Sequence, residues 1–241
     1  MDRIEITGGI RLQGEVTIGG SKNAALPILA ASLLAPGRSL IHNVPRLKDV
    51  ETMLKILSAL GARGEFVGPA TLAIDASELS SHAAPYDLVR RMRASVLVLG
   101  ALLGRSGRAV VSLPGGCVIG PRPVDLHLKG LKALNARISL DHGYVEASGA
   151  ELRGNEIDLE GSFGSSVGAT LNVLLAAVRA RGRTVIRNAA REPEVADTVG
   201  FLLALGASIS GAGTSRLVID GVKELRPAEY EIIPDRIEAG T

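Results

Sequence analysis

The sequence predicts an α/β fold of three repeated units, with buried helices inside and sheets around them. Three observations lead there: one phrase recurs three times, each copy alternates helical with strand-like patterning, and the core has almost no aromatic residues. Across 241 residues there is no Trp, and Phe and Tyr together number six, while apolar residues make up 46%. The core must therefore be aliphatic.

The repeat is read from Leu33-Leu-Ala-Pro-Gly-Arg-Ser-Leu-Ile-His-Asn-Val, Leu103-Gly-Arg-Ser-Gly-Arg-Ala-Val-Val-Ser-Leu and Val178-Arg-Ala-Arg-Gly-Arg-Thr-Val-Ile-Arg-Asn. Each ends a helix and opens a strand at Gly-Arg. Each is followed by a helix closing on a second shared phrase, Leu57-Ser-Ala-Leu-Gly-Ala-Arg, Leu131-Lys-Ala-Leu-Asn-Ala-Arg or Leu203-Ala-Leu-Gly-Ala-Ser. The anchors Gly37, Gly107 and Gly182 lie 70 and 75 positions apart by subtraction, so one unit is about that long.

In the first unit, Ala24 to Ala35 has almost no polar face and reads as a helix buried on most sides. Arg38 to Val44 reads as a strand. Lys48 to Leu60 carries apolar residues at Val50, Met53, Leu54, Ile56, Leu57 and Leu60, a one-faced helical stripe that Gly61 stops. Short strands follow near Ala62 to Val67 and Thr71 to Ile74, joined at Gly68-Pro69. Two helices and several strands per unit give the reverse of a TIM barrel's layering. Met1 to Ile18 contains two strand-like stretches without a partner in the repeats, and Tyr230 to Thr241 starts what reads as another unit and stops. A chain cut short of a further lobe is the expectation.

Composition excludes several functions. The formal charge of +2, the absence of a Lys/Arg block and the scarcity of aromatics argue against nucleic-acid binding. One cysteine forms no internal disulfide, and His42, His82, His127 and His142 show no metal-ligand spacing. The N-terminus lacks a signal peptide's pattern, and the longest apolar runs, Ala94 to Gly104 and Val173 to Val178, fall short of the ~20 residues a membrane helix needs. A soluble, cytoplasmic protein with no metal, no cofactor, no nucleic-acid partner and no membrane partner is expected.

Four stretches can carry chemistry. Between Ser112 and Gly130, three glycines and three prolines surround Cys117 in a lid-like loop, with Arg122 available to favour the thiolate and bind an anion. A single Cys is commonly a small buried hydrophobe; the flanking glycines and Arg122 favour a reactive thiol. Gly19-Gly-Ser-Lys-Asn-Ala-Ala25 offers a capping Ser21, free amides and Lys22 for an anion, although an ordinary capped helix with a solvated lysine explains the same residues. Gly161-Ser-Phe-Gly-Ser-Ser-Val-Gly-Ala-Thr170 occupies the equivalent place in the third unit, again as anion site or plain N-cap. In the second unit Arg90, Arg91 and Arg93 stand at the helix entrance, the first two readable as solvated and Arg93 as an anion ligand. Together these entrances predict a polyanionic ligand, a diphosphate, beside a mobile thiol.

These residues resemble the UDP-N-acetylglucosamine 1-carboxyvinyltransferases, the enolpyruvyl transferases that open bacterial peptidoglycan synthesis. The likeness runs the whole length, from Leu12-Gln-Gly-Glu-Val and Ser21-Lys-Asn-Ala-Ala-Leu-Pro-Ile-Leu through Tyr86-Asp-Leu-Val, Met92-Arg-Ala-Ser, Pro114-Gly-Gly-Cys and Arg122-Pro-Val-Asp-Leu-His to Asn188-Ala-Ala-Arg-Glu-Pro-Glu and Pro234-Asp-Arg-Ile-Glu-Ala-Gly-Thr. The sister family acting on shikimate 3-phosphate shares the architecture and lacks the cysteine loop. The resemblance implies an inside-out α/β barrel and transfer of the enolpyruvyl group of phosphoenolpyruvate to the 3-hydroxyl of UDP-N-acetylglucosamine, releasing phosphate. It implies that Cys117 gives a proton to the methylene carbon, and that epoxides of the fosfomycin type alkylate it. Lys22 and Arg122 would hold phosphoenolpyruvate, with Asn23 on the sugar. Arg93, Arg122, Pro123, Val124, Asp125 and Leu126, with Ser165, Ser166, Val167 and Gly168, would bind the UDP-sugar. Gly164 stands where some relatives carry a lysine. The implied division is residues 1–21 and 230–241 in a second, unfinished lobe and residues 22–229 in a complete one. Because the carboxylate expected to deprotonate the sugar lies beyond Thr241, the chain is expected to be catalytically incomplete. Alternatives left standing are a UDP-sugar-binding module without turnover and the shikimate-directed enzyme.

Overall fold

In a computed structural model, residues 3, 5, 7–9, 11, 13–113, 124–162 and 164–241 are described. Each unit is built around an inner helix. The first is α1 (Lys22–Ala31), extended by a 3-10 turn over Ser32–Leu34. It starts two residues earlier than its apolar run because Ser21 caps it, accepting from the Ala24 amide at 3.3 Å. Near its end the Ser32 hydroxyl donates to the Ile28 carbonyl at 3.1 Å, where the helix tightens to a 3-10 turn. Strand β1 (Arg38–His42), helix α2 (Lys48–Ala59) and strands β2 (Arg63–Phe66) and β3 (Leu72–Asp75) complete the unit. Gly61, at φ +105°, turns the chain out of α2, and a Cβ there would lie 2.5 Å from the Ser80 amide.

The second unit has a short helix α3 (Tyr86–Val89), a 3-10 turn over Arg93–Val96 and the inner helix α4 (Leu97–Ser106). Strand β4 (Arg108–Ser112), helix α5 (Asp125–Ala133) and strands β5 (Arg137–Asp141) and β6 (Tyr144–Ser148) follow. The third comprises β7 (Glu156–Asp158), the inner helix α6 (Val167–Ala177), β8 (Arg183–Arg187), α7 (Pro193–Ala204), β9 (Ser208–Ser210) and β10 (Arg216–Asp220). Then come β11 (Glu229–Glu231) and the short α8 (Arg236–Gly240).

The three sheets follow one plan. Their orders are β11-β1-β3-β2, β7-β8-β10-β9 and β4-β6-β5. In each, the strand after the inner helix lies beside the third strand of its unit, antiparallel, and the second strand takes the edge. A parallel neighbour covers the other side: β7 on β8, Ala83 bridged to Val110 on β4, and β11 on β1. The last of these returns the chain from the third unit to the first. Helices α1, α4 and α6 are buried on nearly every side, from Ala24 to Ala31, Leu97 to Leu103 and Ala169 to Ala177. Sheets outside and aliphatic helices inside form the α/β layering that the composition predicts, and burial of these side chains is the main stabilising term.

The described residues within Met1–Ile18 carry no strand. The boundary at 229/230 falls inside β11, whose Tyr230 and Glu231 pair with Ile41 and His42 of the first unit. Nothing local in Glu-Tyr-Glu marks this, because a three-residue strand takes its pairing from a distant partner. Among the described residues, no helix is long and apolar enough to cross a membrane.

Candidate functional site

The three inner helices begin at one cleft of about 920 Å³. Lys22 and Asn23 enter it from α1, Arg91, Met92 and Arg93 from the turn before α4, and Ser162 to Gly168, without residue 163, from the start of α6. Asp125, Leu126 and His127, in the first turn of α5, form a further wall. Thus Lys22, Asn23, Arg93, Asp125, Leu126, Ser165, Ser166, Val167 and Gly168 of the candidate set share one space. Val124 sits immediately outside, as N-cap of α5. Cys117, Arg122 and Pro123 lie outside the described residues.

Two of the entrances are built alike. The Ser166 hydroxyl accepts from the Ala169 amide at 3.3 Å, as Ser21 accepts from Ala24 at the same distance. A helix start at the cleft carries the positive end of the helix dipole, which suits an anion. Lys22 adds a cation, paired with Asp49 at 3.1 Å, with both side chains 38% exposed. A half-exposed pair of this kind contributes under ~1 kcal/mol, so a ligand anion can compete for the ammonium.

The second entrance is different. In a regular helix the Gly100 amide would donate to the Val96 carbonyl four residues back. Here the fully buried carboxamide of Asn172, from α6, stands between them: Gly100 donates to its Oδ1 at 2.6 Å, and its Nδ2 donates to the Val96 carbonyl at 3.0 Å. The same Nδ2 lies 3.0 Å from Nδ1 of His127. His127 is buried among α4, α5 and α6, and its ring pKa is pushed down to about 4, chiefly by burial, then by the Arg93 guanidinium, against the opposing Asp125 carboxylate. The ring edge that carries Cε1 and Nε2 lies against Gly168, where a Cβ would come within 3.1 and 3.2 Å of those atoms.

On the far wall, Glu192, Glu194 and Arg236 line the cleft. The Arg236 Nε donates to Glu194 at 2.9 Å, and Glu194 is only 4% exposed, so this cation compensates a buried carboxylate. Asp235 caps α8 and also accepts from the Lys22 amide at 3.4 Å, which ties the start of α1 to the segment after β11. Beneath them, burial pushes the Asp197 carboxyl up, although the Tyr230 hydroxyl donates to it at 2.7 Å.

Sequence reasoning missed Asp49, Arg91, His127, Glu194 and Arg236 as parts of this cleft, and Asn172 as the buried residue behind it. His127 was visible as a histidine without metal spacing and as the end of Arg122-Pro-Val-Asp-Leu-His, with no role attached, and Asn172 only as one polar residue in an apolar helix. Asp49 had no local signal and Arg236 stood only within Pro234-Asp-Arg-Ile-Glu-Ala-Gly-Thr; their place depends on how the units meet.

A match to the EPSP synthase family (3-phosphoshikimate 1-carboxyvinyltransferase) spans residues 6–241. The chain is 54% identical over its whole length to a UDP-N-acetylglucosamine 1-carboxyvinyltransferase of Dichelobacter nodosus, and 55% identical to one of Trichlorobacter lovleyi. It spans 57% of the length of each. Among solved structures, the enolpyruvyl transferase NikO from Streptomyces tendae superposes with a TM-score of 0.82 at 29% identity, over 96% of this chain and 54% of the other. An EPSP synthase from Acinetobacter baumannii gives 0.71 at 19% identity, over 92% of this chain and 50% of the other, a likeness of fold alone.

Proposed function

The chain belongs to the EPSP synthase family, and from that premise we propose that it serves the UDP-N-acetylglucosamine 1-carboxyvinyltransferase reaction of peptidoglycan synthesis. The enolpyruvyl group of phosphoenolpyruvate passes to the 3-hydroxyl of UDP-N-acetylglucosamine and phosphate leaves. The observation that carries this reading is the convergence of three helix entrances, with Lys22 and Arg93 among them, on one cleft. Such an array of amides and cations matches a nucleotide sugar's diphosphate and an enolpyruvyl phosphate, and it is in place before negative charge develops.

In this reading the start of α6, from Ser165 to Gly168, and Arg93 hold the UDP moiety, with Val124, Asp125 and Leu126 beside it. Asn23 faces the sugar. Lys22, exchanging Asp49 for the ligand, holds phosphoenolpyruvate together with Arg122. Cys117 protonates the methylene carbon, and its thiolate is the point of attack for fosfomycin-type epoxides. Pro123 shapes the same segment. The reaction needs no resident metal or cofactor, and its substrates are cytoplasmic metabolites. Roles in cell shape and division follow from the product's place in the wall.

A second reading is a UDP-sugar-binding module without turnover, for which the same array of amides and cations would serve as a binding site. Calorimetry with UDP-N-acetylglucosamine, beside a phosphate-release assay with phosphoenolpyruvate, separates the two. Binding with turnover supports the enzyme, and binding alone supports the module. A chain that binds shikimate 3-phosphate and no UDP-sugar overturns both in favour of the sister activity.

A further inference from the structure

The Asn172 carboxamide has a fixed orientation. Its Oδ1 faces the backbone N–H of Gly100, which can only donate, and its Nδ2 faces the Val96 carbonyl, which can only accept. The usual ambiguity between amide oxygen and nitrogen is therefore removed. The second Nδ2 hydrogen points to Nδ1 of His127 at 3.0 Å. That ring nitrogen must be bare, and the proton of the neutral ring must sit on Nε2. The edge bearing Nε2 is the one against Gly168, in the first turn of α6, on the cleft.

The same carboxamide replaces one rung of the α4 ladder, at the residue where the 3-10 turn bearing Arg93 gives way to α-helix. Asn172 is fully buried, and Gly100 has room for no Cβ, which would lie 2.0 Å from the Asn172 carbonyl oxygen. One side chain of the third unit thus holds two walls contributed by the second.

We propose that Asn172 is the positioning residue of the cleft: it fixes His127 as an Nε2–H donor and ties that ring to the Arg93 turn, so that both donors serve one acceptor-rich ligand. The ligand's identity, a nucleotide diphosphate sugar, rests on the function proposed above; the Asn172–His127 geometry does not. The ring that meets this amide stays neutral near pH 7, since a proton on Nδ1 would face the amide hydrogens. Arg93 and Asp125 are the charged groups acting on it.

Histidine tautomers are read directly by two-bond proton–nitrogen NMR on the chain labelled with nitrogen-15 histidine, with His127→Asn identifying the signal. The expected result at pH 7 is a bare Nδ1 and a protonated Nε2. Asn172→Asp replaces the donor with an acceptor, so the ring should move its proton to Nδ1 or become charged. Affinity for UDP-N-acetylglucosamine by calorimetry should fall on the order of tenfold, the loss of about one directed hydrogen bond. A wild-type ring protonated on Nδ1 overturns the assignment without any variant, should Asn172→Asp fail to fold. An unchanged affinity in a folded Asn172→Asp protein overturns the positioning role. A wild-type chain with the expected tautomer that binds no UDP-N-acetylglucosamine upholds the geometry and overturns the ligand reading instead.

Discussion

The entrances of α1 and α6 and the entrance of α4 occupy equivalent places in three similar units, yet they are built by different means. At α1 and α6 a serine hydroxyl of the same segment caps the first turn. At α4 no side chain caps the start; a 3-10 turn leads in, and a carboxamide from a neighbouring helix completes the ladder. The two serine caps are made within their own segments. The third entrance exists only when α6 is docked. A repeat can therefore keep its topology in every copy while giving up its local symmetry where a ligand is met, and the departure concentrates polar groups, Arg93 and His127, on one side of the cleft.

The strongest way to break this comparison is Gly100→Val. A Cβ at this position would lie 2.0 Å from the Asn172 carbonyl oxygen and 2.4 Å from its Oδ1. Neither α4 nor α6 can retreat without losing close packing, so a loss of ~3 kcal/mol or more is expected in urea denaturation. A change below ~1 kcal/mol would show that the inserted amide is not there.

Next in size is a pH effect from the same entrance. His127 titrates near 6.5 when unfolded and near 4 when folded. Between those values the unfolded chain holds the extra proton, so stability falls as pH is lowered through this window, by up to ~3 kcal/mol at pH 4. The difference in unfolding free energy between pH 7 and pH 4.5 should shrink in His127→Asn. An unaltered difference would place the acid sensitivity elsewhere.

At the symmetric entrances, Ser21→Ala and Ser166→Ala should each cost ~1 kcal/mol of stability, additively, because they cap separate helices. Coupling between them above ~0.5 kcal/mol would mean that they too are held by tertiary contacts. Smallest of all, Asp49→Asn should change stability by under ~1 kcal/mol, since its pair with Lys22 is half exposed, while raising affinity for phosphoenolpyruvate by freeing the ammonium. Unchanged phosphoenolpyruvate affinity would argue against competition between the two.

This contrast also separates what could be read in the sequence from what could not. Ser21 and Ser166, each three residues before the amide it caps, and the glycines beside them announce a helix start locally, and the alternation of apolar runs marks inner helices and strands. The gathering of the three entrances followed from the repeat. Asn172 was hidden because a lone polar residue among Leu, Val and Ala says nothing about what it faces until α4 is beside it. The pairing of Glu229–Glu231 with β1 was hidden for the same reason: the information sits on another strand, 189 residues away for the adjoining bond between Ser39 and Ala228. The cysteine loop was the most legible motif, and it lies outside the described residues.

That long-range pairing has a consequence for how the chain acquires its structure. Most contacts within a unit close short loops, but β1 waits for β11, and closing so large a loop is entropically slow relative to forming the local hairpins. The second and third units can assemble their sheets from neighbouring sequence while the edge of β1 is still open, an unpaired strand of the kind that invites misassociation. On a ribosome, where the amino-terminal part emerges first, the first unit would be the last to finish.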